Sequence, residues 1–149
     1  MELRPYVLDD WAAVREVYDL AKPDEMRDAM GILAIPALEL DPEMMALFRG
    51  SEITVMEHAS RVVGFAGSRE NSITWLFVHP SFRRMGVATA LVRTIVARLK
   101  PPVTLNVVGT NAAARALYER IGFKLEREFT GLFHGRPCPV ARLRYEPAG

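Results

Sequence analysis

Between Glu52 and Val78 the chain runs through three apolar stretches, Glu52 to Glu57, Arg61 to Ser68 and Ser72 to Val78. Only His58-Ala59-Ser60 and Arg69-Glu70-Asn71 separate them. Connections this short cannot hold a crossover helix, so the three stretches must pair side by side as an antiparallel meander. Whatever else the chain does, it has to build on that central sheet.

The elements on either side follow from periodicity and punctuation. Val87, Leu91, Ile95 and Leu99 recur every four residues, with Val92 and Val96 beside them, which predicts a helix from Gly86 to Leu99. Lys100-Pro101-Pro102 stops it. Val103 to Val108 reads as a buried strand. Asn111 is a cap for a helix from Ala112 to Ile121 that turns Ala113, Ala116, Leu117 and Ile121 inward. Gly122 closes it in the left-handed conformation, and Phe123 packs back on the last turn. Lys124 to Phe129 and Pro139 to Tyr145 are expected as strands joined by a loop rich in Gly and Pro.

Before the meander, Leu3 to Leu8 is a short strand in which Pro5 suits an edge or a bulge. Asp9 or Asp10 caps a helix carrying Val14, Val17, Tyr18 and Ala21 on one face, and Lys22-Pro23 is expected to end it. Residues 24 to 50 are the least regular part, interrupted by Pro36 and Pro42. Asp41-Pro42-Glu43 has the form of a helix start and Gly50 of its end. Met26, Met30, Met44 and Met45 either fill core or form an adaptable wall for a substrate. The order of elements implies an α+β fold over residues 1–149, one domain with a largely antiparallel sheet flanked by helices.

Composition narrows the ligand. A formal net charge of +1 argues against general affinity for nucleic acid or an acidic membrane, so an anion site has to be local. The single Cys138 excludes an internal disulfide framework and a cysteine-rich metal site, and no metal is expected. No stretch is apolar for the roughly 20 residues of a membrane span. The N-terminus has no signal-peptide pattern, so the cytoplasm is the expected compartment.

The local anion site is Arg83-Arg84-Met85-Gly86-Val87-Ala88-Thr89, where a strand turns into a helix. A helix start presents unpaired backbone N–H groups and partial positive charge. Gly86 and Ala88 let a ligand approach the backbone, and Arg83 and Arg84 offer paired donors for phosphate oxygens. The turn lacks both the Walker lysine loop and the three-glycine dinucleotide fingerprint.

A second stretch, Asn111 to Phe123, reads NAAARALYERIGF. Together the two resemble the signatures of the Gcn5-related N-acetyltransferase (GNAT) family. The first signature is Arg83-Arg84-Met85-Gly86-Val87-Ala88, led in by Leu76-Phe77-Val78-His79-Pro80. The second is Asn111, Ala114, Leu117-Tyr118 and Gly122-Phe123. The resemblance implies a mixed sheet of about seven strands and acetyl-CoA as co-substrate. It implies that the backbone of Leu76, Phe77 and Val78 pairs with the pantetheine arm. Amides from Arg84 to Thr89, including those of Met85, Gly86, Val87 and Ala88, would hold the pyrophosphate, with Arg83 or Arg84 near it and the Thr89 hydroxyl as a further donor. Asn111 would cap its helix and face the arm, with Ala114 in the same signature, and Tyr118 would be the general acid.

The resemblance departs at the base. Family branches carry a glutamate where this chain has Asn106 or Ser72. The expectation is a water chain past Asn106, with Glu57, Glu70, His79 and His134 as other proton acceptors. The implied reaction is direct attack of a small-molecule or peptide primary amine on acetyl-CoA in a ternary complex. The alternative is a catalytically silent CoA-binding sensor or scaffold. Residues 24 to 50 and 129 to 139 are the expected acceptor walls, and the hairpin tip around Phe129, Phe133, His134 and Arg136 would close over substrate or join a homodimer. Asp24, Glu25, Asp28, Glu39, Asp41 and Glu43 would attract a cation.

Overall fold

The meander forms as its turns require. In the computed structural model, which describes residues 1–30 and 35–147, β2 (Glu52–His58), β3 (Arg61–Arg69) and β4 (Ser72–Val78) pair antiparallel in sequence. The first turn is tight because Ala59 and Ser60 both adopt left-handed backbone, at φ 50° and 63°. β1 (Glu2–Pro5) adds antiparallel to β2 and forms one edge of the sheet, the position that Pro5 tolerates.

Seven strands complete a mixed sheet in the order β1-β2-β3-β4-β5-β7-β6, where β5 is Val103–Val108, β6 Lys124–Phe133 and β7 Arg136–Tyr145. Only β4 and β5 run parallel, and they pair only at Ser72↔Thr104 and Ile73↔Leu105. Beyond Ile73 the two strands part, so among the described residues no strand pairs with the C-terminal half of β4 on its β5 side.

Helices α1 (Trp11–Met30) and α2 (Pro42–Arg49) cover one face; α3 (Val87–Arg98) and α4 (Ala112–Ile121) cover the other. α2 starts and stops as expected: the Asp41 carboxylate accepts from the Met44 N–H, Pro42 occupies the first turn, and Gly50 ends it. Leu91, Val92 and Ile95 of α3 pack with Leu105 and Leu143, while Tyr18, Phe65, Trp75 and Phe77 form an aromatic core under α1. The methionines separate. Met26 packs with Val108 and Cys138, and Met44 and Met45 pack against the aromatic core. The side chains of Asp28 and Met30 lie outside the described residues.

Three expectations are corrected. Lys22-Pro23 does not end α1, which continues to Met30. Pro23 and Asp19, whose carbonyl loses its helical donor, both lie on the exposed face, so water can satisfy that carbonyl. Buried Tyr18, Ala21, Lys22 and Met26 hold the helix on either side of the break. Ala113 and Ala116 are exposed; Leu117 and Tyr118 are the buried residues of α4. Finally, residues 129 to 139 are mostly strand: His134 and Gly135, at φ 50° and 76°, make a two-residue turn. Pro137 and Pro139 lie past the last β5 pair, Val108↔Val140, so their missing N–H groups break no ladder bond on that side.

Two stability predictions arise here. A Cβ on Gly64 would meet Val87 Cγ1 at 2.9 Å and the Phe77 carbonyl oxygen at 3.2 Å. Gly64→Ala is therefore expected to destabilise the chain by about 1–3 kcal/mol in urea unfolding, by pushing the start of α3 off the sheet. The Tyr18 hydroxyl is buried without a hydrogen-bond partner among the described residues. Tyr18→Phe is expected to stabilise by about 1 kcal/mol, because it removes an unsatisfied polar group. Burial, then the charges of Asp41, Glu25 and Asp19, push the Tyr18 phenol well above its usual range. The folded chain thus keeps a proton that the unfolded chain releases above about pH 10, and stability falls as pH rises through that window. Tyr18→Phe should flatten that fall in melts across alkaline pH.

Candidate active site

The site is built where β4 loses its neighbour. Along β4, Phe77 faces the aromatic core under α1, whereas Leu76 and Val78 face α3 and α4. The parting of β4 from β5 therefore opens a passage between the two faces of the sheet. A cleft of about 690 Å³ occupies it. Ala21, Asp24, Glu25 and Phe77 line one side; Leu76, Val78, Val87, Ala114 and Leu117 line the other.

At one end lies the strand-to-helix turn. A short 3₁₀ turn, Pro80–Phe82, is held by the His79 ring, whose Nδ1 accepts from the Ser81 N–H at 3.0 Å. Arg84 and Gly86 then adopt left-handed backbone, at φ 63° and 80°. For a non-glycine residue such as Arg84 this costs of order 1–3 kcal/mol, and strain of this kind gathers where backbone amides are being aimed. Gly86 caps α3 without a side-chain hydrogen bond, and nothing described lies within 4 Å of where its Cβ would stand. The first amides of α3 face open space, a concavity suited to an anion.

Leu76, Phe77, Val78, Arg83, Arg84, Gly86, Val87, Ala88, Thr89, Asn111 and Ala114 all line this one cleft. The Asn111 side chain accepts from the Ala114 N–H at 3.2 Å and so caps α4. Ala113 lines the cleft as well, which is why it is not in the core. Met85 stands exposed on the outside of the turn. Arg83 forms an ion pair with Asp24 of α1 at 2.9 Å, which ties the turn to the helix across the cleft mouth.

Tyr118 follows the cleft-lining Leu117 on α4 but is not itself among the described cleft-lining residues; it is buried, its ring edge-on to Phe123 at a centroid distance of 5.5 Å. Burial, with a contribution from the negative charge of Glu25, pushes its phenol well above the usual range. It therefore stays protonated at neutral pH, the state a proton donor needs. Asn106 is exposed on β5 opposite Arg142, on the same strand face as Val108, and is not among the described cleft-lining residues. Ser72 bonds Thr104 at 2.9 Å where β4 and β5 pair.

The other expected proton acceptors serve the fold. Glu57 pairs with Arg4. His79 is buried, with its Nε2 3.1 Å from Arg61. Glu70 stands in an exposed turn. His134 bonds Asp41 at 2.8 Å, which fastens the β6–β7 tip to the start of α2. The two expected acceptor walls thus meet through this contact.

Two residues escaped the sequence reading as a pair. Lys22 Nζ lies 3.1 Å from Glu25 Oε1 and packs over the rings of Phe77 and Phe133, at 5.7 and 5.2 Å. Reading α1 through Pro23 would have revealed them, because Tyr18, Lys22 and Glu25 continue one helical face.

The chain is similar to known acetyltransferases in sequence and in fold. A family profile described as Acetyltransferase (GNAT) domain matches residues 49–125, just over half of the chain. Acetyltransferase SG1711 of Sodalis glossinidius (strain morsitans) is 30% identical over 135 residues, covering 85% of this chain and 89% of that protein. Mycothiol acetyltransferase of Parafrankia sp. (strain EAN1pec) is 37% identical over 124 residues, 79% of this chain, but the chain spans only 38% of that relative's length. Among solved structures, yncA of Salmonella typhimurium, a putative acetyltransferase with its cofactor acetyl-CoA, superposes with a TM-score of 0.74 at 19% identity, covering 100% of this chain and 96% of that one.

Proposed function

Because the chain belongs to the GNAT acetyltransferase family, we propose that it moves an acetyl group from acetyl-CoA to a primary amine, on a small molecule or a peptide, by direct attack within a ternary complex. The fold and the family make it an acyltransferase; the acceptor class, the mechanism and the residue roles are our reading. The observation that carries it is the single cleft that joins the open edge of β4, the amides from Arg84 to Thr89 and Asn111.

The residues fit acetyl-CoA. The left-handed Gly86, which caps α3 without a side-chain hydrogen bond, and the first amides of α3 form a cradle for a diphosphate, with Arg83 and Arg84 beside it. The main chain of Leu76, Phe77 and Val78 offers hydrogen bonds to an extended amide-bearing arm, as a strand edge does to a peptide. Acetyl-CoA supplies the acyl group as a thioester. Tyr118 donates its phenolic proton toward the leaving sulfur. No helix of the described residues is long and apolar enough to cross a membrane; we place the reaction in the cytoplasm.

The test is release of free CoA thiol from acetyl-CoA with propylamine, spermidine and alanyl-glycine as acceptors. Amine-dependent release is the expected result. Tight acetyl-CoA binding in calorimetry with no release on any amine would favour a silent binder instead.

A further inference from the structure

The family positions for a base hold Asn106 and Ser72, neither of which can take a proton, so the attacking amine needs another acceptor. We propose that Glu25, delivered by the part of α1 beyond Pro23, accepts the proton of the attacking amine, with Lys22 positioning it. This rests on the acetyltransferase reading above.

Glu25 lines the cleft on the α1 side, opposite Leu76 and Leu117. Its side chain is 23% exposed, so it is sheltered but reachable. Lys22 Nζ donates to Oε1 at 3.1 Å, and among the described residues Oε2 has no side-chain hydrogen bond. Lys22 is itself fixed, 9% exposed at its side chain, between the rings of Phe77 and Phe133. The carboxylate is therefore held in one orientation beside the end of β4. Besides Lys22, the charged or titratable groups around it are Tyr18 and Asp24 of α1, Arg83 of the turn, Tyr118 and Arg120 of α4, and Cys138 of β7. Glu25 shares this cleft with Ala114 and Leu117 of α4, the helix that also carries Tyr118.

The step balances. The amine nitrogen forms a C–N bond to the acetyl carbonyl carbon as the C–S bond breaks and its electron pair leaves on sulfur. The alkylammonium that predominates near neutral pH first gives its extra proton to Glu25 Oε2, which releases it to solvent; after attack the surplus N–H proton leaves by the same carboxylate, and the Tyr118 hydroxyl proton neutralises the thiolate. Amide and free thiol depart, and the two side chains return to their starting states by proton exchange with solvent.

The experiment measures kcat/KM for propylamine from pH 6 to 10 in the wild type, Glu25→Gln and Glu25→Ala, with acetyl-CoA Kd measured alongside. Glu25→Gln is expected to lose on the order of 100-fold or more near pH 7, with acetyl-CoA affinity within about twofold. The deficit should shrink as the pH nears the amine's own pKa, roughly 10, where the nucleophile no longer needs a base. Added formate should restore part of the Glu25→Ala rate, which a purely structural role would not allow. A Glu25→Gln rate within about threefold of wild type, or a loss that is uniform in pH and insensitive to formate, overturns the role of Glu25 while leaving the acetyltransferase reading intact. A wild type that turns over no amine overturns both.

Discussion

Gly86→Glu is expected to abolish acetyl-CoA binding while leaving the chain folded. Gly86 sits at φ 80° and caps α3, and a Cβ there meets nothing described within 4 Å. A side chain would carry only the backbone cost of the left-handed conformation, about 1–2 kcal/mol, with no steric clash inside the protein. The damage falls on the ligand. A carboxylate in the cradle would stand against the diphosphate that the α3 amides are aimed to receive. At about 4 Å and an effective dielectric near 20, each such charge pair costs on the order of 4 kcal/mol. Calorimetry should show a loss of more than about 100-fold in affinity. Gly86→Ala, which adds the strain without the charge, should lose roughly tenfold at most. Affinity for Gly86→Glu close to that of the wild type would remove the diphosphate from this turn.

Tyr118→Phe is expected to lower kcat by on the order of 100- to 1,000-fold, with acetyl-CoA affinity nearly unchanged. The ring packs on Phe123 and contributes to the core under α4, and phenylalanine keeps that packing. What disappears is a hydroxyl that burial and the Glu25 charge keep protonated well into alkaline solution. The wild-type enzyme should accordingly show no loss of rate from this group below about pH 10. Steady-state kinetics paired with calorimetry separate the roles. A large fall in affinity with unchanged turnover would make Tyr118 a binding residue only.

How much of this was legible beforehand depended on whether a residue's neighbours were local. β4, β5 and α4 could be read to the residue because their signals are local: apolar runs between turns, an Asn111 cap and a Gly122 stop. The proposed cofactor side of the cleft is drawn largely from two contiguous stretches, Leu76 to Thr89 and Asn111 to Ala114, which the structure brings together in one lining. The acceptor side was not legible locally. Pro23 is a strong local breaker, yet tertiary packing of Lys22 and Met26 carries α1 past it, and Glu25 reaches the cleft only because of that. The β6–β7 tip escaped likewise: the left-handed backbone of His134 and its bond to Asp41, 93 positions away, leave no mark in the local composition. In the sequence Lys22 marks only a helix end and Glu25 is one of six acidic residues that would attract a cation; their pairing shows once the Phe77 and Phe133 rings are brought around Lys22.

The central claim is that the parted edge of β4 and the Arg84–Thr89 turn hold one thioester carrier with its sulfur at Tyr118. A crystal structure of the chain with acetyl-CoA tests it most directly. The account predicts the diphosphate on the amides of residues 84–89, the arm hydrogen-bonded to the main chain of residues 76–78, and the sulfur within about 3.5 Å of the Tyr118 oxygen. A carrier bound elsewhere, or bound here with the phenol turned away from the sulfur, would contradict it.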